Sequence, residues 1–290
     1  MTELTQRSSA SLADRLPPHA FFAVSAVFHY LGPSFAVLLF AHVGVLGVAW
    51  LRIASAAVVF ALWRRPWRSL VEGDPRARGL VAVLGIVLAF MNCVFYLAIN
   101  RMPLATVAAI EFVPTIAIAL IGVRTARNIV ALAVAVSGVH LLIGFRWSSD
   151  GLGVFLAIAN ALLFAGYIVI GHAISRAGGA SGIDRLGAAM LVAVAVATPM
   201  GAADVLPALF MPTLILAGIG VGVSSSVIPY VCDQLAMARL PRATFALMLT
   251  LLPATATIVG AAVLSQIPTM EELIGILLVA AGVYLHKPPQ

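Results

Sequence analysis

The chain alternates between long apolar runs and short polar or charged breaks. The runs lie near 20–41, 44–63, 79–100, 104–122, 127–145, 152–173, 184–202, 212–236, 242–264 and 270–286. Each approaches the ~20 residues a helix needs to cross the hydrocarbon core of a bilayer. They are apolar throughout and lack the period of two that marks a barrel strand, so helices are the spanning form. The pattern predicts an all-α polytopic membrane protein with ten transmembrane helices. Residues 1–19 form a polar tail, and the first run lacks a small-residue cleavage signal, so it reads as a retained span. The densest charge falls in the break at 64–78.

The hexapeptide Arg101-Met102-Pro103-Leu104-Ala105-Thr106 returns 138 residues later as Arg239-Leu240-Pro241-Arg242-Ala243-Thr244. One copy joins the third and fourth spans and the other joins the eighth and ninth. Five spans separate them, an odd number, so the copies are oppositely oriented in the membrane. That is the plan of two inverted five-helix repeats, 20–145 and 152–286, with a substrate site near the midplane between them. Pro103 and Pro241 suit the first turn of a helix, where an N–H has no partner. Pro114 and Pro253 fall deeper in their spans, where a proline frees a carbonyl and bends the helix.

Composition supports the same class. Of the 290 residues, 62% are hydrophobic and 10% charged, with a mean hydropathy of +1.08. Soluble domains carry about 25% charged residues, so a soluble fold is excluded. Fourteen of the 17 basic residues fall on one side if the amino terminus is cytoplasmic, while Arg101 and Arg146 fall on the other. This asymmetry predicts an integral inner-membrane protein with both termini in the cytoplasm. It also accounts for the high pI without nucleic acid. Cys93 and Cys232 stand alone in apolar segments and read as packing residues. Trp50, Trp63, Trp67 and Trp147 lie near span ends as interfacial anchors, and His42, His140 and His172 read as interfacial too. Gly218-x-x-x-Gly222 permits close helix approach. No metal-ligand spacing, nucleotide-binding motif, paired catalytic constellation or ring of filter charges is present, so no cofactor, metal, enzyme activity or channel is expected.

Three charges remain inside spans, where charge is costly and faces a cavity or a partner. Glu111 lies about seven residues into the fourth span, ahead of Pro114. It suits either proton coupling or a substrate ammonium, or it caps an internal network. Arg52 suits a substrate carboxylate, a pair with Glu111, or snorkelling to the surface. Asp233 reads as a gate residue or as a partner of Arg239 or Arg242. Polar residues at helical spacing add candidate cavity walls: Asn92 with Tyr96, Asn160 with Tyr167, and Tyr230 beside Asp233. His29 and Tyr30 precede Gly32-Pro33-Ser34, which is expected to unwind the first span and bare its carbonyls.

The stretches 45–67 (VLGVAWLRIASAAVVFALWRRPW), 91–114 (MNCVFYLAINRMPLATVAAIEFVP) and 228–260 (IPYVCDQLAMARLPRATFALMLTLLPATATIVG) resemble the EamA-domain branch of the drug/metabolite transporter superfamily. Within it the chain is most similar to the threonine/homoserine exporter group. The resemblance implies export of small polar metabolites, amino acids among them, by alternating access, with a small-molecule substrate and the lipid bilayer as partners; protons enter as partners only on the coupling reading of Glu111. A drug or another metabolite on the same fold is the alternative it leaves open. One departure is plain. The family often carries a glutamate just before the proline of its ninth helix, and this chain has Leu252 there. Glu111 alone of the two carboxylates is kept.

Overall fold

A computed structural model describes residues 16–72, 74–111, 114, 125–144, 150–176, 179–206, 208–241, 245, 248–249 and 252–285. All regular structure among them is helical. The elements are α1 (Pro18–Leu39), α2 (Val45–Arg64), α3 (Trp67–Val71), α4 (Pro75–Ile99), α5 (Ala126–Gly144), α6 (Gly151–Ser175), α7 (Gly179–Val205), a 3-10 turn (Ala208–Phe210), α8 (Pro212–Gly222), a π turn (Val223–Val227), α9 (Ile228–Met237), α10 (Leu252–Leu264) and α11 (Met270–Leu285). Residues 104–111 are helical as well. Six helices are long and apolar enough to cross a membrane: α1, α2, α4, α6, Gly182–Val205 of α7, and the continuous rod Pro212–Met237 that joins α8, the π turn and α9. Shorter apolar helices cover Ala126–Gly138 and Leu252–Leu264. The tail residues 1–15, the charges Arg124, Arg146, Arg242 and Lys287, and Trp147 lie outside the described residues, as does much of the expected fourth span.

Local chemistry sets the helix starts. Proline opens α1, α4 and α8, where its missing N–H costs nothing. Asp74 caps α4 by accepting from the N–H groups of Arg76 (2.7 Å) and Ala77 (3.3 Å). Asp150 caps α6 through the Gly153 N–H (2.9 Å) and also receives Arg101 Nε (2.9 Å). The Gly153 N–H, and then Arg101, hold the partly exposed Asp150 carboxyl below its usual range. Helix α3 was not expected. It fills the charged break at 64–78, entered through Arg65 in the left-handed conformation (φ 51°), and leans on α7.

The helices pair in a definite pattern. α2 packs on α7, and α5 on α11. α4 packs on α6 and α7. α1 packs on the π turn, α9 and α10, and α2 packs on α8 and the π turn. Glycine makes the last of these crossings possible. A Cβ on Gly222 would stand 2.8 Å from the Arg52 carbonyl oxygen, and one on Gly218 would stand 2.9 Å from Leu51 Cδ1. Gly220, between them, has open space. Gly222→Val is therefore expected to destabilise the bundle by about 1–3 kcal/mol, the usual cost of overpacking. Gly220→Val is expected to leave it unchanged. Thermal unfolding in detergent separates the two variants.

The expected unwinding at Gly32-Pro33-Ser34 does not occur. α1 runs unbroken through Pro33, with Gly32, Pro33 and Ser34 all buried. Pro33 removes one hydrogen bond, to the His29 carbonyl, and packing keeps the rest of the turn in place. The irregular backbone sits in the helix that crosses it: a Cβ on Gly32 would meet Ser225 of the π turn, 2.7 Å from its backbone nitrogen.

Candidate functional site

Arg52 points into the bundle from α2 and is 3% exposed, so it does not snorkel. Its Nε donates to Ser226 Oγ (2.8 Å), and its Nη2 donates to the Ser225 carbonyl (2.7 Å) and to Tyr230 Oη (3.3 Å). The guanidinium also lies over the Tyr96 ring, 5.3 Å from its centroid. The Ser225 carbonyl is available for a physical reason. Its ordinary helical donor would be the N–H of residue 229, and that residue is Pro229. A proline in α9 thus frees a carbonyl in the π turn, and Arg52 takes it. Single-turn π segments of this kind recur at functional sites. From Tyr230 the hydrogen bonds continue to Asn92 Oδ1 (3.3 Å), while Asn92 Nδ2 donates to the Leu88 carbonyl (2.6 Å). The chain of bonds crosses from α2 through α9 to α4.

Glu111 is equally buried, at 3% exposed. Its Oε1 accepts from Asn160 Nδ2 on α6 (3.0 Å), and its Oε2 accepts from Tyr30 Oη on α1 (3.4 Å). The ion pair with Arg52, one of the three readings of that residue, is not formed: among the described residues the salt bridges are Arg64–Asp184 and Arg101–Asp150, both partly exposed. The π turn draws the guanidinium away from Glu111. The two charges instead face one small cavity, whose walls are His29, Arg52, Met91, Asn92, Phe95, Glu111, Asn160 and Tyr230. Two wall atoms, His29 Nδ1 and Asn160 Oδ1, are buried with no hydrogen-bond partner among the described residues. Buried polar atoms are seldom left in that condition.

Asp233 is fully buried on α9. Ser25 Oγ donates to its Oδ1 and Tyr167 Oη to its Oδ2 (2.9 Å). The expectation of a surface pair with Arg239 or Arg242 is thereby corrected for Arg239, which donates to the Leu16 carbonyl (3.0 Å) and lies over the Phe21 ring. Arg242 lies outside the described residues.

Five of the nine residues singled out in the sequence line the cavity: Arg52, Asn92, Glu111, Asn160 and Tyr230. Tyr30 and Tyr96 stand one layer behind, holding Glu111 and flanking Arg52. Tyr167 and Asp233 form a separate cluster. Sequence reasoning missed Ser25, Ser225 and Ser226 and gave His29 no place in the wall. The run Ser224-Ser225-Ser226 ahead of Pro229, in an apolar span, was the available signal.

Apolar helices of spanning length, with charged side chains turned inward onto a shared polar cavity, define a polytopic membrane protein. Residues 151–286 match the EamA-like transporter family. The chain is 31% identical over 248 residues to the threonine/homoserine exporter RhtA of Escherichia coli (strain K12), covering 84% of this chain and 82% of that protein. It is 30% identical over 254 residues to RhtA of Salmonella typhimurium (strain LT2), covering 87% and 84%. A solved crystal structure with 17% identity shares the fold, at a TM-score of 0.63 over 92% of this chain and 96% of its own. The chain belongs to the EamA-like transporter family. It is an integral multi-pass membrane protein and a transporter, not an enzyme.

Proposed function

We propose that the chain exports small polar amino acids, threonine and homoserine foremost, by alternating access. The observation that carries this is the cavity with Arg52 in one wall and Glu111 in another, unpaired with each other. A zwitterion presents the complementary pair of charges. The Nη1 amino group of the guanidinium, which the contacts to Ser225, Ser226 and Tyr230 leave over, can donate to a carboxylate oxygen, Glu111 matches an ammonium, and His29 Nδ1 with Asn160 Oδ1 can meet a side-chain hydroxyl. The names of the exporters to which the chain is similar point the same way.

Two inverted five-helix halves, 20–145 and 152–286, supply the moving parts. The helix pairing supports them. Counting the rod Pro212–Met237 as one span, the contacts of α1 with that rod and of α6 with α4 exchange when each span is replaced by its partner five spans away. The contacts of α2 with α7 and of α5 with α11 map onto themselves. Tyr230 and Asn92, 138 residues apart like the paired hexapeptides, bond to each other. The distribution of basic residues supports an inner-membrane orientation with residues 1–19 and the carboxyl terminus in the cytoplasm.

The test is a panel of radiolabelled amino acids moved by the purified full chain in proteoliposomes. Threonine and homoserine are expected to move, and to compete with each other. Movement of no panel member would overturn the substrate class and leave the family untouched.

A further inference from the structure

The two buried carboxylates are held alike. α1 donates Tyr30 Oη to Glu111 and Ser25 Oγ to Asp233, while α6 donates Asn160 Nδ2 to Glu111 and Tyr167 Oη to Asp233. Each of the two helices thus gives one hydrogen bond to each acid, forming two rungs between α1 and α6. The rungs differ in what else they touch. Glu111 opens on the cavity that holds Arg52, and Asp233 does not. Asp233 has no cation within ion-pair distance among the described residues. Among the described residues the titratable groups that interact with it are Tyr167 from α6 and Tyr230 and Cys232 from its own helix, and α1 presents the Ser25 hydroxyl. None of these carries a positive charge.

The partner chemistry also differs. An amide NH2 can only donate, so the Asn160 contact on Glu111 favours a carboxylate acceptor. A hydroxyl donates or accepts. Both oxygens of Asp233 face hydroxyls, so the cluster can serve the carboxylate and, by turning one hydroxyl round, the carboxylic acid. Next to it in the chain, Gln234 is 1% exposed with both amide ends unpaired. Its Oε1 and Nε2 face Gly182 of α7 and Gly171 of α6. Buried polar atoms in that condition mark a place for water, and water there would connect Asp233 toward the end of the bundle that carries Arg64 and Arg239.

The geometry points to Asp233 as the site of the coupling proton, separate from the substrate cavity. A proton joins the carboxylate from one aqueous side and leaves it to the other as the amino acid crosses in the opposite direction. This second-half acid stands on the eighth span, whereas the family's often stands on the ninth, where this chain has Leu252. It rests on the amino-acid export proposed above.

The experiment uses the purified full chain in liposomes with a trapped pH dye. It compares threonine exchange at equal pH with threonine flux driven by a pH gradient. Asp233→Asn is expected to lose gradient-driven flux and threonine-linked proton movement by on the order of tenfold or more. Exchange, which needs no net proton transfer, is expected to fall less than in Glu111→Gln. Asp233→Glu restores the gradient response. Gradient-driven flux that survives in Asp233→Asn, exchange lost there as fully as in Glu111→Gln, or a wild type indifferent to the gradient overturns the assignment. If the asparagine variant does not fold, Ser25→Ala and Tyr167→Phe take its place: a shifted pH profile supports the assignment and an unmoved one overturns it. A wild type that moves no amino acid overturns the substrate class alone. Asp233 is then read by infrared difference spectra on a pH step, where a carboxylic C=O band missing in Asp233→Asn supports the assignment and an unchanged band overturns it.

Discussion

Glu111→Gln is expected to lower threonine flux about a hundredfold while leaving the protein folded. The estimate follows from the site. Removing one partner of a buried, hydrogen-bonded charge pair costs about 2–5 kcal/mol, and about 3 kcal/mol is a hundredfold. Glutamine has the shape of glutamate, so its amide oxygen can still accept from Asn160 Nδ2, and its NH2 can face Tyr30 Oη with that hydroxyl turned to accept. The substitution removes the charge that opposes Arg52 across the cavity and little else. Glu111→Asp draws the carboxyl back by one methylene from both partners, so an intermediate loss is expected. Flux in proteoliposomes, set beside thermal unfolding of the same samples, is the measurement. Wild-type flux in Glu111→Gln would remove Glu111 from the substrate site.

The helical runs were legible because the sequence carries so few charges. Most of the charges fall in the breaks between runs, two of them capping helices as Asp74 and Asp150 do, and among the described residues Arg52, Glu111 and Asp233 lie buried. What could not be read was which groups these three would meet. Arg52 is held by a backbone carbonyl, and no pattern of side chains announces a carbonyl. It became available through the absence of an N–H at Pro229, four residues on from Ser225. The Gly32-Pro33-Ser34 segment carried the stronger signal for a broken helix and stayed helical, because its own turn is buried against the irregular one. Asn160 and Tyr167 share a helix face, as their spacing predicts. Seven residues at 1.5 Å each put them ~10 Å apart along the axis, far enough to serve different acids. The Gly218/Gly222 crossing was readable as a close approach, but its partner helix was not, because small residues fit any neighbour.

Arg52→Lys is expected to raise the KM for threonine by about tenfold to a hundredfold, although charge is conserved. The guanidinium reaches Ser226 Oγ through Nε and the Ser225 carbonyl and Tyr230 through Nη2, two donor atoms held apart by a rigid plane. An ammonium is a single point and cannot span them, so one acceptor is left unpaired. Each hydrogen bond to a charged group is worth about 1.5–3 kcal/mol, and these bonds fix the direction of the remaining Nη1 amino group that would meet a carboxylate. The carboxylate role is separated from a merely structural one by the decarboxylated analogue of threonine, 1-amino-2-propanol. If Arg52 binds the carboxylate, the lysine variant weakens competition by threonine and leaves the weak competition by the amine unchanged. If Arg52 only braces the π turn, both ligands lose affinity together. Pro229→Ala provides the complementary case. It returns a helical N–H to the Ser225 carbonyl, so Arg52 loses its sole claim on that oxygen and its threonine KM moves in the same direction as in Arg52→Lys, with the guanidinium itself intact.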